Sequence, residues 1–288
     1  MTNLIRTFLL CAAFVSATHT ASAAVLFVNN HLGSDAADGS SSQIIGKFAG
    51  PVRTISRALE LSNAGDTIYI TNTGMPYYDS LSFVGPRRSG SAIRPLVIRG
   101  NGATLTGAMS LPPTAWQPVG TDLFKVAPYR KGHFQLVRDG QALAEVRKAK
   151  DETWWRVPKL KPNEWCVYRG AIYYQSEKNV DPSRQNFAIA RRDCGITLLD
   201  AHDVRITDLV IRHFRLDGVH VHDRADKIVL DNVVVTENGR AGVTVRGTAV
   251  VNIERSSIVG NRDHSLLIEE FGGVDVTGSE IDIEPTVR

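Results

Sequence analysis

Three consecutive stretches near the C-terminus decide the fold: GVHVHDRADKIVLDNVVVTENGRA at 218–241, GVTVRGTAVVNIERSSIVGNRDH at 242–264 and SLLIEEFGGVDVTGSEI at 265–281. In register, they repeat apolar and small residues at intervals of 23 or 24. The columns are Leu198, Val221, Val245, Ile268; Ile206, Val229, Ile253, Val276; Ile211, Val234, Ile258, Ile281; and Gly195, Gly218, Gly242, Ser265. This period, with short β-branched runs and no helical stripe, predicts stacked coils of three short strands. We therefore expect an all-β fold, a right-handed parallel β-helix or solenoid.

Other architectures fit the repeat less well. A propeller needs about 40 residues per blade, and leucine-rich repeats need a fixed Leu spacing with an Asn. A jelly roll would not repeat in register. The composition of the 288 residues, 43% hydrophobic with 24 Gly and 3 Cys, excludes disorder, collagen and a disulfide-built miniprotein. The net charge of +3 is too balanced to suggest a nucleic-acid partner.

Residues 1–23 have the pattern of a secretory signal peptide. Arg6 is the only charge before the apolar run 8–15, and Ala21-Ser22-Ala23 has the small-x-small form of a cleavage site. The run is about half the roughly 20 residues that span a bilayer, so a membrane anchor is disfavoured. We expect a secreted protein, extracellular or periplasmic, with no membrane span.

Export bears on the cysteines. Cys11 leaves with the signal, and Cys166 and Cys194 then form an even pair in an oxidising compartment. One disulfide is therefore an option. Two buried thiols are the alternative, because buried Cys behaves as a small hydrophobe.

The N-terminal half fits the same fold. Thr54 to Leu61 is predicted as a short amphipathic helix ended by Gly65, and it is a candidate cap for the open apolar end of the coil. Residues 66–70 and 95–100 are predicted strands of the first rungs.

A family resemblance rests on this half. The motifs that carry it are Phe27-Val28-Asn29, Gly33-Ser34-Asp35, Asp38-Gly39, Pro51-x-x-Thr54-Ile55-x-x-Ala58-Leu59, Gly65-Asp66-Thr67-Ile68 and Pro95-Leu96-Val97-Ile98-x-Gly100. They resemble the opening of secreted β-helix proteins of the pectin-lyase-like superfamily, in particular alginate and chondroitin lyases. The resemblance covers about 25–107 by motif and 194–284 by repeat. It implies the fold, and no catalytic residue is transferred from it.

Residues 111–192 break the period and are predicted to form a β-rich insertion. The segment holds all four Trp and two hairpin signals, Asp139-Gly140 and Arg169-Gly170. The predicted division of the chain is 1–23 signal peptide, 24–110 cap and first rungs, 111–192 insertion, and 193–288 regular rungs.

The charge of the insertion suggests a ligand. Residues 125–192 hold 15 Lys and Arg against 7 Asp and Glu, whereas 193–288 hold 10 against 17. A basic insertion beside an acidic coil favours an anionic polysaccharide, with Trp154 and Trp155 stacking on sugar faces. The alternative is a solvated face and an insertion core that needs its own Trp residues.

Strand alternation predicts an outward-facing site. In Gly218–Arg224, inward Val219 and Val221 leave His220 and His222 outward, and the repeat places Arg246 and Glu269 in one outward column with His222. These four are the candidate catalytic residues: His220, His222, Arg246 and Glu269. Asp223 and Arg224 are candidate substrate-binding residues at the edge of the strand.

Two reactions fit such a column. A lyase removes the proton beside a uronate carboxylate, with a histidine as base and Arg246 or a divalent ion as neutralising cation. A hydrolase would use two carboxylates such as Asp223 and Glu269. A ladder of surface charges on a noncatalytic carbohydrate-binding or structural β-helix is the third interpretation.

Calcium is the only candidate cofactor. The acidic turn Gly33–Gly39 could hold it, but the turn lacks EF-hand spacing, and a polar Asx-type turn is favoured. At the other end, the last rung reaches Ile281 and Ile283 with no covering helix. We expect this end to be covered by another chain, shielded by Asp282 and Glu284, or shortened relative to its relatives.

Overall fold

The computed structural model describes residues 23–149, 152–282 and 286–287. The predicted signal sequence, apart from Ala23, lies outside these ranges, as do Ile283 and Glu284. No helix in the described ranges is long and apolar enough to cross a membrane.

The N-terminal part contains one helix and four strands that precede the insertion. In chain order they are β1 (Val25–Val28), α1 (Ile55–Leu61), β2 (Thr67–Ile70), β3 (Leu81–Val84) and β4 (Leu96–Thr106).

Eight further strands follow. They are β5 (Ala108–Ser110), β6 (Gln117–Gly120), β7 (Leu123–Val126), β8 (Leu136–Arg138), β9 (Gln141–Ala142), β10 (Trp165–Tyr168), β11 (Ala171–Gln175) and β12 (Phe187–Ala190).

The regular rungs contain β13 (Ile196–Leu199), β14 (His202–Arg212), β15 (Asp217–His222), β16 (Asp226–Asp231), β17 (Val234–Thr236), β18 (Ala241–Val245), β19 (Val250–Glu254), β20 (Ser257–Val259), β21 (His264–Ile268), β22 (Gly273–Thr277), β23 (Glu280–Ile281) and β24 (Thr286–Val287). Short 3₁₀ helices lie at Pro86–Arg88, Pro113–Ala115 and Pro182–Arg184.

The rungs form a parallel β-helix with three strands per coil, as the repeat predicts. One sheet has the order β1-β2-β4-β14-β16-β19-β22, with β17, β20 and β23 continuing it around a corner. A second sheet has the order β24-β21-β18-β15-β13-β3. Both sheets are parallel throughout, and their inward side chains form one continuous apolar core. Each coil therefore buries its apolar side chains on the next.

The observed register corrects two of the predicted columns by one residue. Leu198, Val221, Val245 and Ile268 align as predicted. The partner of Ile206 and Ile253, however, is Leu230 rather than Val229, and the partner of Ile211 and Ile258 is Val235 rather than Val234. The reason is one extra residue between Val221 and Leu230, in the turn that follows His222. Counting the period could not locate this extra residue, because positions 229 and 230 are both apolar, as are positions 234 and 235.

Two glycines of the repeat, Gly218 and Gly242, lie at the second position of strands β15 and β18 and are required sterically. A Cβ on Gly218 would lie 2.3 Å from Val235 Cγ1 and 2.8 Å from Asn238 Nδ2, and one on Gly242 would lie 2.5 Å from Ile258 Cγ2. No side chain fits at that separation. The column therefore marks a close approach between the start of the strand and the interior of the coil.

A buried asparagine ladder continues this corner. Asn261 Oδ1 accepts hydrogen bonds from Asn238 N at 3.1 Å and Asn238 Nδ2 at 2.9 Å, and Asn261 Nδ2 donates to Val235 O. Asn238 Oδ1 in turn accepts from Phe214 N. The side-chain amides thus satisfy backbone groups that leave the strand ladder at the corner.

We expect Asn261→Ala to lower the free energy of unfolding by about 3 kcal/mol. The substitution leaves the buried backbone N–H of Asn238 without an acceptor, reduces Asn238 Nδ2 to its 3.4 Å hydrogen bond with Ile211 O, and removes the side-chain donor to the Val235 carbonyl. Chemical denaturation measures the loss. Asn252→Ala, which changes a half-buried strand asparagine, is the matched control and should shift stability by about 0.5 kcal/mol or less. Equal losses in the two variants would contradict a role for the ladder.

The predicted helix is present as α1. Thr54 Oγ1 accepts from Arg57 N as the N-cap, and Ile55, Ala58 and Leu59 are buried in the core of the coil. Ser62, rather than Gly65, ends the helix, and Gly65 (φ +91°) lies in the turn before β2. That α1 caps the open apolar end of the coil stays a prediction.

Strands β5 to β12 form two antiparallel four-stranded sheets, ordered β10-β11-β7-β6 and β5-β12-β8-β9. Both predicted hairpins form, with positive φ at Asp139, Gly140, Arg169 and Gly170 as type I′ turns require. This segment has a core of its own, separate from that of the coil. Arg262 fixes it to the coil by donating to both oxygens of Glu145, at 2.8 and 2.9 Å. The domain boundaries stay a prediction.

Candidate functional site

The predicted column lies on the outer face of the second sheet. His220 pairs in register with Thr197 on one side and Thr244 on the other, and Thr244 pairs with Leu267. Val219 and Val221 are fully buried inside the coil, so His220 and His222 point outward as alternation predicts. Their rings meet edge to face, with centroids 5.0 Å apart.

The outer face is not evenly exposed. Thr244 is 0% and Leu267 2% exposed, whereas His220 and His222 are half-buried. The Thr244 hydroxyl has no hydrogen-bond partner among the described residues. The solvent-accessible part of this face therefore consists of His220 together with His222 and Arg246 of the neighbouring column.

A buried carboxylate organises His220. Asp217 is fully buried, and its Oδ2 lies 2.7 Å from His220 Nδ1. Arg240, from the next coil, donates to the same carboxylate through Nε at 2.8 Å and through Nη2. Asp217, His220 and Arg240 thus form one hydrogen-bonded group, which we call the Asp217 triad.

The triad keeps Asp217 ionised. Burial acts to raise the pKa of the carboxyl, but the hydrogen bonds donated by His220 and Arg240 outweigh it and hold this pKa below its ordinary value. The hydrogen bond to Asp217 also raises the pKa of the Arg240 guanidinium. A buried ion pair of this kind is retained only when its geometry is good.

An ionised Asp217 fixes the tautomer of His220. A carboxylate can only accept a hydrogen bond, so Nδ1 carries the proton and Nε2 is the nitrogen that can take another. A buried carboxylate on Nδ1 holds an imidazole in orientation and stabilises the imidazolium that forms when Nε2 is protonated. The triad is therefore arranged for proton transfer at His220 Nε2.

Cys194 completes a possible metal-ligand set. Its sulfur, an Asp217 oxygen and a His220 nitrogen lie within 4.8 Å of one another. A divalent cation there would have to displace the Arg240 guanidinium from Asp217 and the carboxylate from Nδ1. The group consequently suits proton transfer better than metal binding.

The extra residue found from the register lies beside this site, in the turn that contains Asp223 and Arg224. Asp223 Oδ1 lies 3.3 Å from His222 Nδ1, and Arg224 Nε donates to Asp200 at 3.1 Å. The backbone of Asp223 packs on Gly247, where a Cβ would lie 2.8 Å from its carbonyl oxygen. The turn therefore brings both predicted binding residues to the edge of the column, with Arg224 already paired.

Arg246 and Glu269 lie at the same edge. Arg246 donates to Glu270 at 2.9 Å and is 4.0 Å from Glu269. The hydrogen bond and charge of Glu270, followed by the charge of Glu269, raise the pKa of Arg246. The charge of Glu269 also acts on Arg240. The charge of Glu269 therefore acts on both arginines, while Glu270 is the closer partner of Arg246.

The four tryptophans have two kinds of environment. Trp116 and Trp165 belong to the core of the insertion, which is the alternative to sugar binding given above. Trp155 is 84% exposed, and its carbonyl accepts from Tyr168 Oη. Trp154 is half-buried, with an Nε1 that lacks a partner among the described residues. Within the same ranges, neither indole makes a hydrogen bond or ring contact with the column, so their part in binding stays a prediction.

Cys166 and Cys194 are free thiols and do not form a disulfide. Burial raises the pKa of Cys166 to about 12 and that of Cys194 to about 11, so the nucleophilic thiolate is scarce at neutral pH. We expect neither to react with iodoacetamide in the folded protein at pH 8, and both to react in denaturant without reductant. Peptide mass spectrometry checks this, and protection in denaturant would indicate a disulfide.

The acidic turn is occupied by protein donors. Asp35 Oδ1 accepts from Arg53 N and Thr54 N, and its Oδ2 accepts from Thr54 Oγ1. Asp38 Oδ1 accepts from Ser40 and from Gly50 N. These contacts favour the Asx-type turn over a calcium site.

Three residues of the site were missed from the sequence: Asp217, Arg240 and Cys194. Asp217 stands directly before Gly218, where the neighbouring coils have Cys194 and Ala241. An acidic residue at that apolar position was an available signal, because a buried carboxylate needs partners.

Comparisons with known proteins agree with the fold. A family model described as the right-handed β-helix region matches residues 170–283. No curated protein matches the chain by sequence. XylC, solved in complex with xylose, aligns with a TM-score of 0.58 and 13% identity over 91% of this chain and 60% of that one. A glycoside hydrolase aligns with a TM-score of 0.60 and 13% identity over 86% of this chain and 68% of that one.

Pectate lyase Pel9A aligns more loosely, with a TM-score of 0.42 and 13% identity over 90% of this chain and 63% of that one. This chain spans about 60% of the length of XylC. At such identities the likenesses concern the fold alone. Together with the parallel three-stranded coils, the family-model match and the alignments with XylC and the glycoside hydrolase identify the fold of the chain as a right-handed parallel β-helix.

Proposed function

We propose that the protein is a secreted polysaccharide lyase that cleaves an acidic polysaccharide at the outer face around His220. The observation that carries this proposal is the Asp217 triad, in which a buried carboxylate leaves Nε2 of a half-buried histidine as the proton acceptor.

In this mechanism His220 removes the proton beside a uronate carboxylate. The bond from the neighbouring carbon to the glycosidic oxygen breaks, a carbon–carbon double bond forms, and the leaving oxygen gains a proton. No water is consumed. Ionised Asp217 stabilises the imidazolium that forms, and general base catalysis of this kind contributes about 10²–10⁴-fold.

Arg246 is the proposed cation for the substrate carboxylate. Its side chain is exposed beside the column, and a substrate carboxylate would replace Glu270 as its partner. Neutralising the carboxylate makes the adjacent proton easier to remove. The 15 basic against 7 acidic residues at 125–192 support an anionic substrate.

Two of the aligned structures, XylC solved with xylose and the glycoside hydrolase, have TM-scores above 0.5 and support a carbohydrate substrate. Hydrolysis by Glu269 and Asp223 is therefore the second candidate. The signal-peptide pattern of residues 1–23 supports export, which N-terminal sequencing of the exported chain tests by the presence of Ala24 at its start.

The experiment is incubation of the protein with alginate, pectate and glycosaminoglycans, with and without calcium, while ultraviolet absorbance and reducing ends are recorded. A lyase produces an unsaturated sugar, so absorbance rises with new reducing ends for at least one polymer. Reducing ends without absorbance would favour the hydrolase. Binding without either signal would favour a noncatalytic protein and overturn the proposal.

A further inference from the structure

A second possible site lies between the insertion and the coil. A cavity of about 550 Å³ lies beside the segments that follow β5 and β12, where the insertion joins the coil. Residues of the insertion and of the coil line it. This volume is typical of a small-molecule site, for which about 300–1,000 Å³ is usual.

Positive charge dominates the cavity wall. Arg130, Arg191, Arg192 and Arg215 line it, and Asp193 is the only acidic residue among the described lining residues. Asp193 accepts from Arg130 at 2.6 Å and from Arg215 at 2.8 Å, so a single carboxylate serves two guanidinium groups. The wall thus carries an excess of three positive charges, four arginines against one aspartate, which favours an anion.

In the part of the chain that the structure describes, the Nε of Arg192 is buried and makes no hydrogen bond. Asp79 lies within electrostatic range, but its oxygens accept from Ile55 N and Ser56 Oγ. A buried guanidinium donor without a partner is costly unless a ligand or solvent satisfies it.

The rest of the wall suits the carbon skeleton of a sugar. Leu111, Val126, Phe134 and Ile189 give it an apolar side, and Tyr129, which is 97% exposed, lies among its lining residues. Sites for polar small molecules combine apolar and aromatic walls with a few charged groups that fix orientation. A bare inorganic anion would leave this apolar side unused.

We propose that the cavity binds a sugar that carries a carboxylate, namely a uronic acid residue. The arginines supply the charge-assisted hydrogen bonds to the carboxylate, and the apolar side contacts the ring. The choice of a uronic acid among anionic ligands rests on the proposed function.

The cavity adjoins the Asp217 triad. Asp193 directly precedes Cys194, and Arg215 lies two residues before Asp217, at the same end of the second sheet. The cavity is therefore placed to hold one unit of an acidic chain whose other units reach His220.

The test is calorimetric titration of the full chain carrying His220→Asn, which separates binding from turnover. The ligands are galacturonate, glucuronate, the neutral sugars galactose and glucose, and sodium sulfate. We expect at least one uronate to bind about 10-fold or more tightly than its neutral counterpart. Arg192→Gln, and Ala127→Trp at an exposed residue of the cavity wall, should each weaken uronate binding about 10-fold or more.

Arg184→Gln, which changes an exposed insertion arginine outside the cavity, is the control and should leave affinity unchanged. Uronate binding no tighter than that of the neutral sugar, unchanged affinity in both cavity variants, or sulfate binding as tight as uronate would overturn the proposal. Uronate binding in a protein that cleaves no polymer would refute the lyase function alone. Cleavage without uronate binding would refute the cavity site alone.

Discussion

His220→Asn is expected to lower turnover of the cleaved polymer about 1,000-fold with little change in substrate affinity. Asparagine can still donate a hydrogen bond to Asp217, so the buried carboxylate keeps a partner. It has no equivalent of Nε2 and cannot accept the proton. The loss should therefore fall on kcat, while KM and the midpoint of unfolding stay close to those of the native protein.

Steady-state kinetics on the native and variant proteins measures this effect. His31→Asn, at an exposed histidine of the N-terminal part, is the matched control and should retain full turnover. Retained turnover in His220→Asn would show that another group takes the proton.

Asp217→Asn is expected to reduce both activity and stability. The substitution leaves Arg240 beside a neutral amide, and removal of one partner from a buried pair costs about 3 kcal/mol. His220 also loses the carboxylate that orients it, so kcat should fall about 100-fold or more. Kinetics and chemical denaturation measure the two losses, with Asp226→Asn at an exposed strand position as the control.

The stability effect of Asp217 has a definite pH dependence. Because folding lowers the pKa of this carboxyl below 3.8, its contribution is fully present well above pH 3.8. It is lost as the pH falls through the lowered pKa. The stability difference between the native protein and Asp217→Asn should therefore shrink as the pH falls below about 4. A difference that persists unchanged in acid would show that Asp217 does not act through its charge.

The repeat made the coils predictable because every coil must bury the same inward positions. The glycine column, the outward direction of His220 and His222, and the helix at residue 55 all followed from periodicity and side-chain type, although Gly218 and Gly242 lie within strands. The one-residue shift in register at Val229 and Val234 did not follow. The extra residue lies in a turn, where no periodic apolar residue marks the register.

The Asp217 triad was missed in the sequence for a different reason. Asp217 and Arg240 are 23 residues apart and come together only because successive coils stack. Outward alternation identified His220 but gave no indication of the buried carboxylate at the start of the same strand. The cavity between the insertion and the coil could not be predicted either, because its shape depends on how the insertion, with its own core, packs against the coil.

The most direct test of the proposed chemistry is mass spectrometry of the products formed from the cleaved polymer in heavy-oxygen water. Elimination breaks the glycosidic bond without adding water. We therefore expect an unsaturated terminal sugar and no heavy oxygen at the new reducing end beyond the slow exchange of any free reducing end with water, with both the product and its rate of formation dependent on His220. Saturated products that gain heavy oxygen at the new reducing end faster than this exchange would contradict the lyase mechanism and establish hydrolysis.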